Sequence, residues 1–367
     1  MVIVQVVFSS DIFELQKFGG ISRYFVELAK GLSANRKCEV SIATRIHINS
    51  YLYNSSVNAG FYLPTSPTRL KLDPIVTQIN TSHSSKISSR NNFDIKHETF
   101  YRQNIEYLKA KKYVTTVYDL IREKSSDTWD GFSRKRKSLL NADHIIAIST
   151  NTAHDLIEFY DVNPNKVSVI HLGVSSVFLH SELTSSNAIK KKQILYVGER
   201  GGYKDFSTLV EAYGTSKFLR ENFHVLVFGP KFTRDELNHL ETYKLASNFK
   251  HRSGDDQRLL EAYRESAALV VTSKYEGFGL PVLEAMANLC LVFTTRLGSL
   301  SEIAGNLDVP FEVSNPESLK NSLETYLVQL PHLTPHLLIA KNHAKQFTWE
   351  SVVNKTYNLY TSIASKE

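Results

Sequence analysis

The chain has 367 residues, of which 42% are hydrophobic and 22% charged, and a formal net charge of +6. That is the balance of a globular chain long enough for two domains, and it excludes a disordered chain. No apolar run approaches the ~20 residues of a membrane span, and so mild a positive charge suits a small anionic substrate or acidic lipid headgroups better than nucleic acid, which is not expected as a partner. Cys38 and Cys290 lie far apart beside strand-like runs and read as buried thiols in a reducing compartment. The opening MVIVQVVF is too short and wrongly flanked for a signal peptide, so the cytoplasm is the expected location.

Val2–Phe8 is a continuous apolar, β-branched run, the pattern of a strand covered on both faces of a parallel sheet. A loop with Gly19–Gly20 follows, then a helix with Ile21, Phe25, Leu28 and Leu32 on one face. Strand, glycine pair and helix form the phosphate-approach geometry of a Rossmann-like unit, although the full GxGxxG fingerprint is missing, and a plain tight turn reads equally well. Val40–Ala43 predicts a second strand, and the polar stretch Ser50–Ser89 a long irregular or helical surface region. Phe93–Ile95 leads to a polar-aromatic group that includes His97, and Lys112–Val117 to Tyr118 and Asp119. Polar residues at the carboxyl ends of successive parallel strands are candidates for ligand contact, or structural hydrogen-bonding groups. Arg134–Lys137 (RKRK) lies on a helix, as a solvated face or a contact for an anionic membrane or polymer. Ala142–Ser149 predicts a strand, Thr150–Tyr160 a helix capped by Thr150 or Asn151, and Lys166–Ile170 a strand, closing a first half over residues 1–180.

The polar, lysine-bearing Ser181–Lys192 is the best linker candidate. The alternation restarts at Ile194–Val197 and continues through a helix from Asp205 to Tyr213, strand His224–Phe228, helices Arg234–Ala246 and Gln257–Arg264, and strand Ala267–Thr272. Two βα-repeating halves imply an α/β protein with two parallel-sheet domains, 1–180 and 193–346, facing across a ligand cleft. Residues 347–367 form an amphipathic terminal helix with Trp349, Val352, Val353, Tyr357 and Tyr360 at helical spacing.

Two loops of the second half carry chemistry. In GERGGYKD, residues 198–205, Arg200 and Lys204 stand at a strand's carboxyl end, where a guanidinium fork and a mobile ammonium suit phosphate. In YEGFGLPVLEAMA, residues 275–287, Glu276 lies in a glycine-bearing turn, Pro281 marks a helix start, and Glu284 is expected in the first helical turn. Two acids beside a helix N-terminus describe a site for something rich in hydroxyls and phosphate, against the plain alternative of solvated glutamates at a turn.

FGGISRYFVEL, TVYDLI, ADHIIAIS, YVGERGGYK, SKYEGFGLPVLEAMA and FTWESV together resemble retaining GT-B glycosyltransferases of family four, which include bacterial polysaccharide and lipopolysaccharide enzymes. The resemblance implies a GT-B fold of two Rossmann-like domains, with the 347–367 helix crossing back to the first. It implies that Glu276 holds hydroxyls of a donor sugar, that Glu284 holds the ribose, and that backbone N–H groups of Gly277, Phe278, Gly279 and Leu280 steady sugar and phosphates. Arg200 and Lys204 match the diphosphate-binding pair, with Glu276 the third catalytic residue, and Gly19 and Gly20 match the loop closing over the diphosphate. Many relatives carry histidine where this chain has Tyr118; the acceptor side is therefore assigned to His97, Tyr118 and Asp119. Expected partners are a GDP- or UDP-sugar and a glycan or lipid-linked acceptor, at the inner face of the membrane where the acceptor requires it. No Asp-x-Asp motif is present, so no metal and no cofactor is expected. A soluble disaccharide or glycoside synthase of the same fold, and a non-catalytic polyanion binder resting on RKRK, are the alternatives; a nicotinamide oxidoreductase is disfavoured by the missing fingerprint.

Overall fold

The computed structural model describes residues 3–34, 38–64, 73–101, 108–124, 131–179 and 190–365. They divide into two compact units, Met1–Gly173 with Trp349–Glu367, and Val174–Thr348. The first unit contains β1 Val4–Phe8, β2 Cys38–Ile42, a small parallel pair β3 Ile46–His47 and β4 Phe61–Tyr62, then β5 Ile95–Glu98, β6 Lys112–Val117, β7 His144–Ala147 and β8 Val167–Val169. Six of these form one parallel sheet in the order β2-β1-β5-β6-β7-β8. Its helices are α1 Asp11–Leu15, α2 Gly20–Ala34, α3 Ser50–Tyr53, α4 Asp73–Arg90, α5 Ile121–Lys124, α6 Gly131–Asn141 and α7 Thr150–Tyr160. The apolar runs end up where a doubly covered parallel sheet needs them: Val6, Val7 and Phe8 of β1 have no exposed surface, and Phe25 and Leu28 of α2 close over that sheet. The cap of α7 is Ser149, one residue earlier than expected, because its extended backbone lets its hydroxyl accept the Thr152 N–H at 3.0 Å.

The second unit contains α8 Ser176–Leu179, β9 Lys191–Val197, α9 Phe206–Thr215, α10 Lys217–Asn222, β10 His224–Phe228, α11 Arg234–Thr242, β11 Phe249–Arg252, α12 Asp256–Glu265, β12 Ser266–Val271, α13 Leu280–Ala287, β13 Leu291–Thr294, α14 Leu300–Ala304, β14 Val309–Pro310, α15 Pro316–Gln329 and α16 Thr334–Ala344. Its parallel sheet runs β11-β10-β9-β12-β13-β14. Helix α11 stops four residues short of the expected Ala246, since Lys244 takes a left-handed conformation at φ 56°.

The division between the units falls at Gly173/Val174, ahead of the expected 180–193 break, because Phe178 of α8 packs edge-on against Tyr263 of α12 and makes 174–179 part of the second unit. Of the expected linker, residues 181–189 lie outside the described residues; Lys191 and Lys192 already belong to β9, where Lys191 pairs with Glu265 at 2.7 Å. The last helix, α17 Trp349–Ala364, belongs to the first unit and buries Val352, Val353, Thr356, Tyr360 and Ile363. It lies so close to α2 that a Cβ on Gly31 would stand 2.3 Å from Val353 Cγ2.

In each sheet the strand order reverses at one place: between β1 and β5 in the first, between β9 and β12 in the second. Open α/β sheets bind ligands beyond the carboxyl ends of their strands at such a switch point. In the second unit these are the ends that carry the two loops singled out in the sequence.

Candidate active site

Beyond β9 the chain makes a tight 3-10 turn, Gly202–Lys204, and beyond β12 it runs through Thr272–Gly279 into α13. The two loops are laced together: Thr272 Oγ1 donates to the Lys204 carbonyl at 2.6 Å, and the Lys274 N–H to the Tyr203 carbonyl at 2.8 Å. This fixes the Lys204 side chain beside the second loop, where its Nζ meets Glu276 Oε1 at 2.6 Å. Ser273 Oγ donates to the same oxygen at 2.6 Å. Burial opposes the charge on Lys204, but the Glu276 carboxylate and then Tyr203 outweigh it and hold the lysine pKa above its ordinary value. The ammonium is therefore a fixed positive charge.

The backbone of Glu276 is held from behind. Ser299 donates to its carbonyl twice, from N–H at 3.0 Å and from Oγ at 2.9 Å. Gly298, at φ 64°, passes so close that a Cβ there would lie 2.5 Å from the Glu276 carbonyl oxygen. Gly279, at φ 95°, caps α13, and Pro281 sits in its first turn. The N-terminus of this eight-residue helix thus opens beside Lys204 and Glu276 with the positive end of its dipole, although Pro281 brings no N–H and the Val282 N–H bonds the Gly279 carbonyl at 2.9 Å. Gly277 and Phe278 are buried in this loop, the Phe278 ring edge-on to Phe347 at 6.2 Å. Since α13 begins at Leu280, Glu284 falls past its first turn, later than expected. Its buried carboxylate accepts the Tyr263 hydroxyl at 2.9 Å on Oε2.

Arg200 does not join this group. It leans the other way, to β10: Nε and Nη2 bond both oxygens of Glu236 at 2.8 and 3.0 Å, and Nη1 and Nη2 donate to the carbonyls of Pro230 and Lys231. The guanidinium carbon lies 5.9 Å from the Phe206 ring and 5.1 Å from that of Phe232, and the residue is only 6% exposed. Burial would raise the Glu236 pKa; the bonds from Arg200 and Thr233 overcome it and hold the carboxyl below its ordinary range. The expected phosphate-binding pair is thus split, because β10 and β12 flank β9 on opposite sides.

In the first unit, Gly19 and Gly20 open α2. A Cβ on Gly20 would meet nothing within 4 Å, so packing does not demand glycine there, while one on Gly19 would collide with Gln16, whose Oε1 accepts the Ser22 N–H. At the β1/β5 switch point, Ser9 Oγ lies 3.1 Å from Thr99 Oγ1, tying the two loops. The trio assigned to the acceptor does not form one polar surface. His97 has no exposed area; Nδ1 bonds Tyr360 Oη at 2.6 Å and Nε2 bonds Thr116 Oγ1 at 2.8 Å. Burial lowers its pKa to about 3, so it is a neutral core imidazole anchoring α17. The Tyr118 hydroxyl is buried with no hydrogen-bond partner among the described residues, its ring edge-on to Tyr24. Asp119 caps α5 through the Ile121 N–H at 3.1 Å. The RKRK run also changes meaning. Lys135 points inward, donating to Glu123 at 2.7 Å and to the Asp119 carbonyl at 2.8 Å, so the run is no continuous basic patch.

Ser273, Gly298, Ser299, Tyr263 and Glu236 hold the site residues from outside the motifs, and nothing in their local sequence marks that role. Thr233 and Glu236 form a capping box at the start of α11, a local pattern that carries no sign of Arg200 as a partner. Among the described residues, no three of His, Cys, Asp or Glu converge to hold a metal ion, and no helix is long and apolar enough to cross a membrane.

Two parallel-sheet units, one bearing a lysine, a carboxylate and a helix N-terminus at its switch point, define the GT-B class of glycosyltransferase fold. Residues 18–177 match the model for glycosyltransferase family 4 and residues 182–332 that for glycosyl transferases group 1; the chain belongs to this family. It is 24% identical to the D-inositol 3-phosphate glycosyltransferase of Corynebacterium diphtheriae, over 94% of this chain and 90% of that one. It is 23% identical to the serotype-specific mannosyltransferase WbdA of Escherichia coli over 69% of this chain, and spans about a third (34%) of that relative's length. The fold matches that of HepE from Anabaena, solved in complex with UDP and glucose, with a TM-score of 0.73 and 13% identity over 98% of this chain and all of that one.

Proposed function

We propose that this glycosyltransferase moves a hexose-type sugar, with retention, from a GDP- or UDP-sugar to a glycan or lipid-linked acceptor in surface polysaccharide synthesis. The observation that carries the reading is the Lys204–Glu276 pair at the N-terminus of α13. Each serves as the other's counter-charge. On donor binding, Lys204 turns to the diphosphate and Glu276 to sugar hydroxyls, with backbone N–H groups of Gly277–Leu280 beside them and Glu284 on the ribose. As the bond from the anomeric carbon to the phosphate oxygen breaks, Lys204 and the helix end stabilise the leaving diphosphate. The acceptor oxygen attacks on the same face, and its proton passes to the departing phosphate. A divalent metal has no part in this scheme, so activity should persist in excess EDTA. The relatives' names support a hexose as the sugar moved: WbdA is a mannosyltransferase, and HepE was solved with UDP and glucose. Arg200 we assign to building the site rather than to the phosphate. We place the reaction in the cytoplasm, at the inner membrane face where the acceptor is lipid-linked; co-sedimentation with anionic vesicles tests that location.

A thermal-shift screen against UDP, GDP, ADP and their sugars tests the reading. A ligand at 100 times its dissociation constant adds about 2.7 kcal/mol. No response to any of them would overturn the proposal. A second reading, a synthase joining a sugar to a small soluble acceptor, is favoured by the inositol-phosphate-using relative that aligns with nearly the whole chain. Product analysis with myo-inositol phosphate and with lipid-linked oligosaccharide as acceptors separates the two.

A further inference from the structure

We propose that Tyr263 is a positioning residue for nucleotide recognition, setting the Glu284 carboxylate for the donor ribose through its hydroxyl; this rests on the reading of Glu284 given above. Tyr263 lies outside the glycine loops and the two-glutamate stretch, on α12, with no exposed surface. Its hydroxyl donates to Glu284 Oε2 at 2.9 Å, a bond between two buried side chains twenty-one residues apart. Burial, and then the adjacent carboxylate, raise the Tyr263 pKa well above its ordinary value, so the hydroxyl keeps its proton and donates at any working pH.

The phenol is itself immobilised. The Phe178 ring stands edge-on to it at 5.9 Å and 87°. Lys190 Nζ donates to the Tyr263 carbonyl at 3.0 Å and to the Asn288 carbonyl at 2.8 Å, joining the backbone of α12 to the end of α13. Asn288 Nδ2 in turn donates to the Glu284 carbonyl at 2.9 Å. A glutamate side chain has three rotatable bonds, and ribose recognition by paired hydroxyls needs its carboxylate plane fixed. A rigid donor on one oxygen supplies that.

The test uses the full chain and calorimetry with UDP, GDP and ADP, each against its 2′,3′-dideoxy counterpart. For the nucleotide that binds, Tyr263→Phe should weaken affinity about 5- to 10-fold, within the range for one lost intramolecular hydrogen bond. It should leave the dideoxy counterpart's affinity within twofold of wild type, and Glu284→Gln should show the same selectivity. If Glu284→Gln is selective but Tyr263→Phe weakens both ligands equally, or neither, the positioning role is overturned and the ribose reading stands. If Glu284→Gln is itself unselective, the ribose reading falls and takes the inference with it. Should Tyr263→Phe not fold, 3-fluorotyrosine at position 263 gives the same decision by fluorine NMR. Its resonance should move with the nucleotide and not with the dideoxy form; equal movement with both overturns the proposal.

Discussion

Arg200 and Lys204 stand four residues apart in one loop, yet they lean to opposite neighbours of β9 and so have different consequences when removed. Lys204 meets only one acidic partner in the bonds described above and keeps 22% of its side chain accessible, whereas Arg200 is surrounded. Truncating Arg200 to alanine leaves Glu236 without its counter-charge and two carbonyls without donors. Unfolding in urea should show a loss at the lower end of the ~3–5 kcal/mol range for a broken buried pair, since Glu236 remains 19% exposed. A stable R200A protein with selectively impaired turnover would instead restore Arg200 to the phosphate. Glu276 and Lys204 were legible because glycine-rich loops at the ends of apolar runs announce the binding edge of a parallel sheet. The capture of Arg200 was not, because its partner lies 36 residues on, across a strand pairing that sequence spacing does not encode. His97 misled for a related reason: an imidazole near a strand end reads as a site group until Tyr360, 263 residues away, is seen on it.

The terminal helix α17 is the element whose placement depends most on single contacts. Its spacing of Val352, Val353 and Tyr360 announced an amphipathic face, but not the surface it covers. That surface is α2, made approachable by the missing side chain of Gly31. Gly31→Ala inserts a Cβ where 2.3 Å is available, and such overpacking typically costs about 1–3 kcal/mol. Far-UV circular dichroism during urea titration should show that loss for G31A, and no change would mean that α17 does not seat on α2. Tyr360→Phe leaves one buried imidazole nitrogen unpaired and should cost about 1–3 kcal/mol by the same measurement. The small parallel pair β3–β4 and helices α10, α15 and α16 were not read from the sequence, since short or weakly amphipathic segments carry too little periodicity to stand out.

For the whole molecule, pH dependence follows from the buried imidazole. The folded-state pKa of His97 is about 3, below the ~6.5 of an unfolded histidine, so between those values only the unfolded chain takes up the proton. The stability it contributes is fully present above pH 6.5 and is lost as pH falls through the window, by up to about 1.4 kcal/mol per unit. Relative to His97→Gln, the wild-type chain should therefore lose stability between pH 6.5 and 4; a constant difference across that range would contradict the burial. The proposed reaction depends on Lys204 and the helix end acting on a leaving diphosphate. Its most direct measurement is kcat together with donor-nucleotide Kd for Lys204→Ala, using the sugar nucleotide identified by thermal shift. Removal of one preorganised group stabilising transition-state charge predicts a kcat lower by ~10²–10³-fold, with Kd weakened less than tenfold. Turnover within a few-fold of wild type, or equal losses in kcat and affinity, would contradict it.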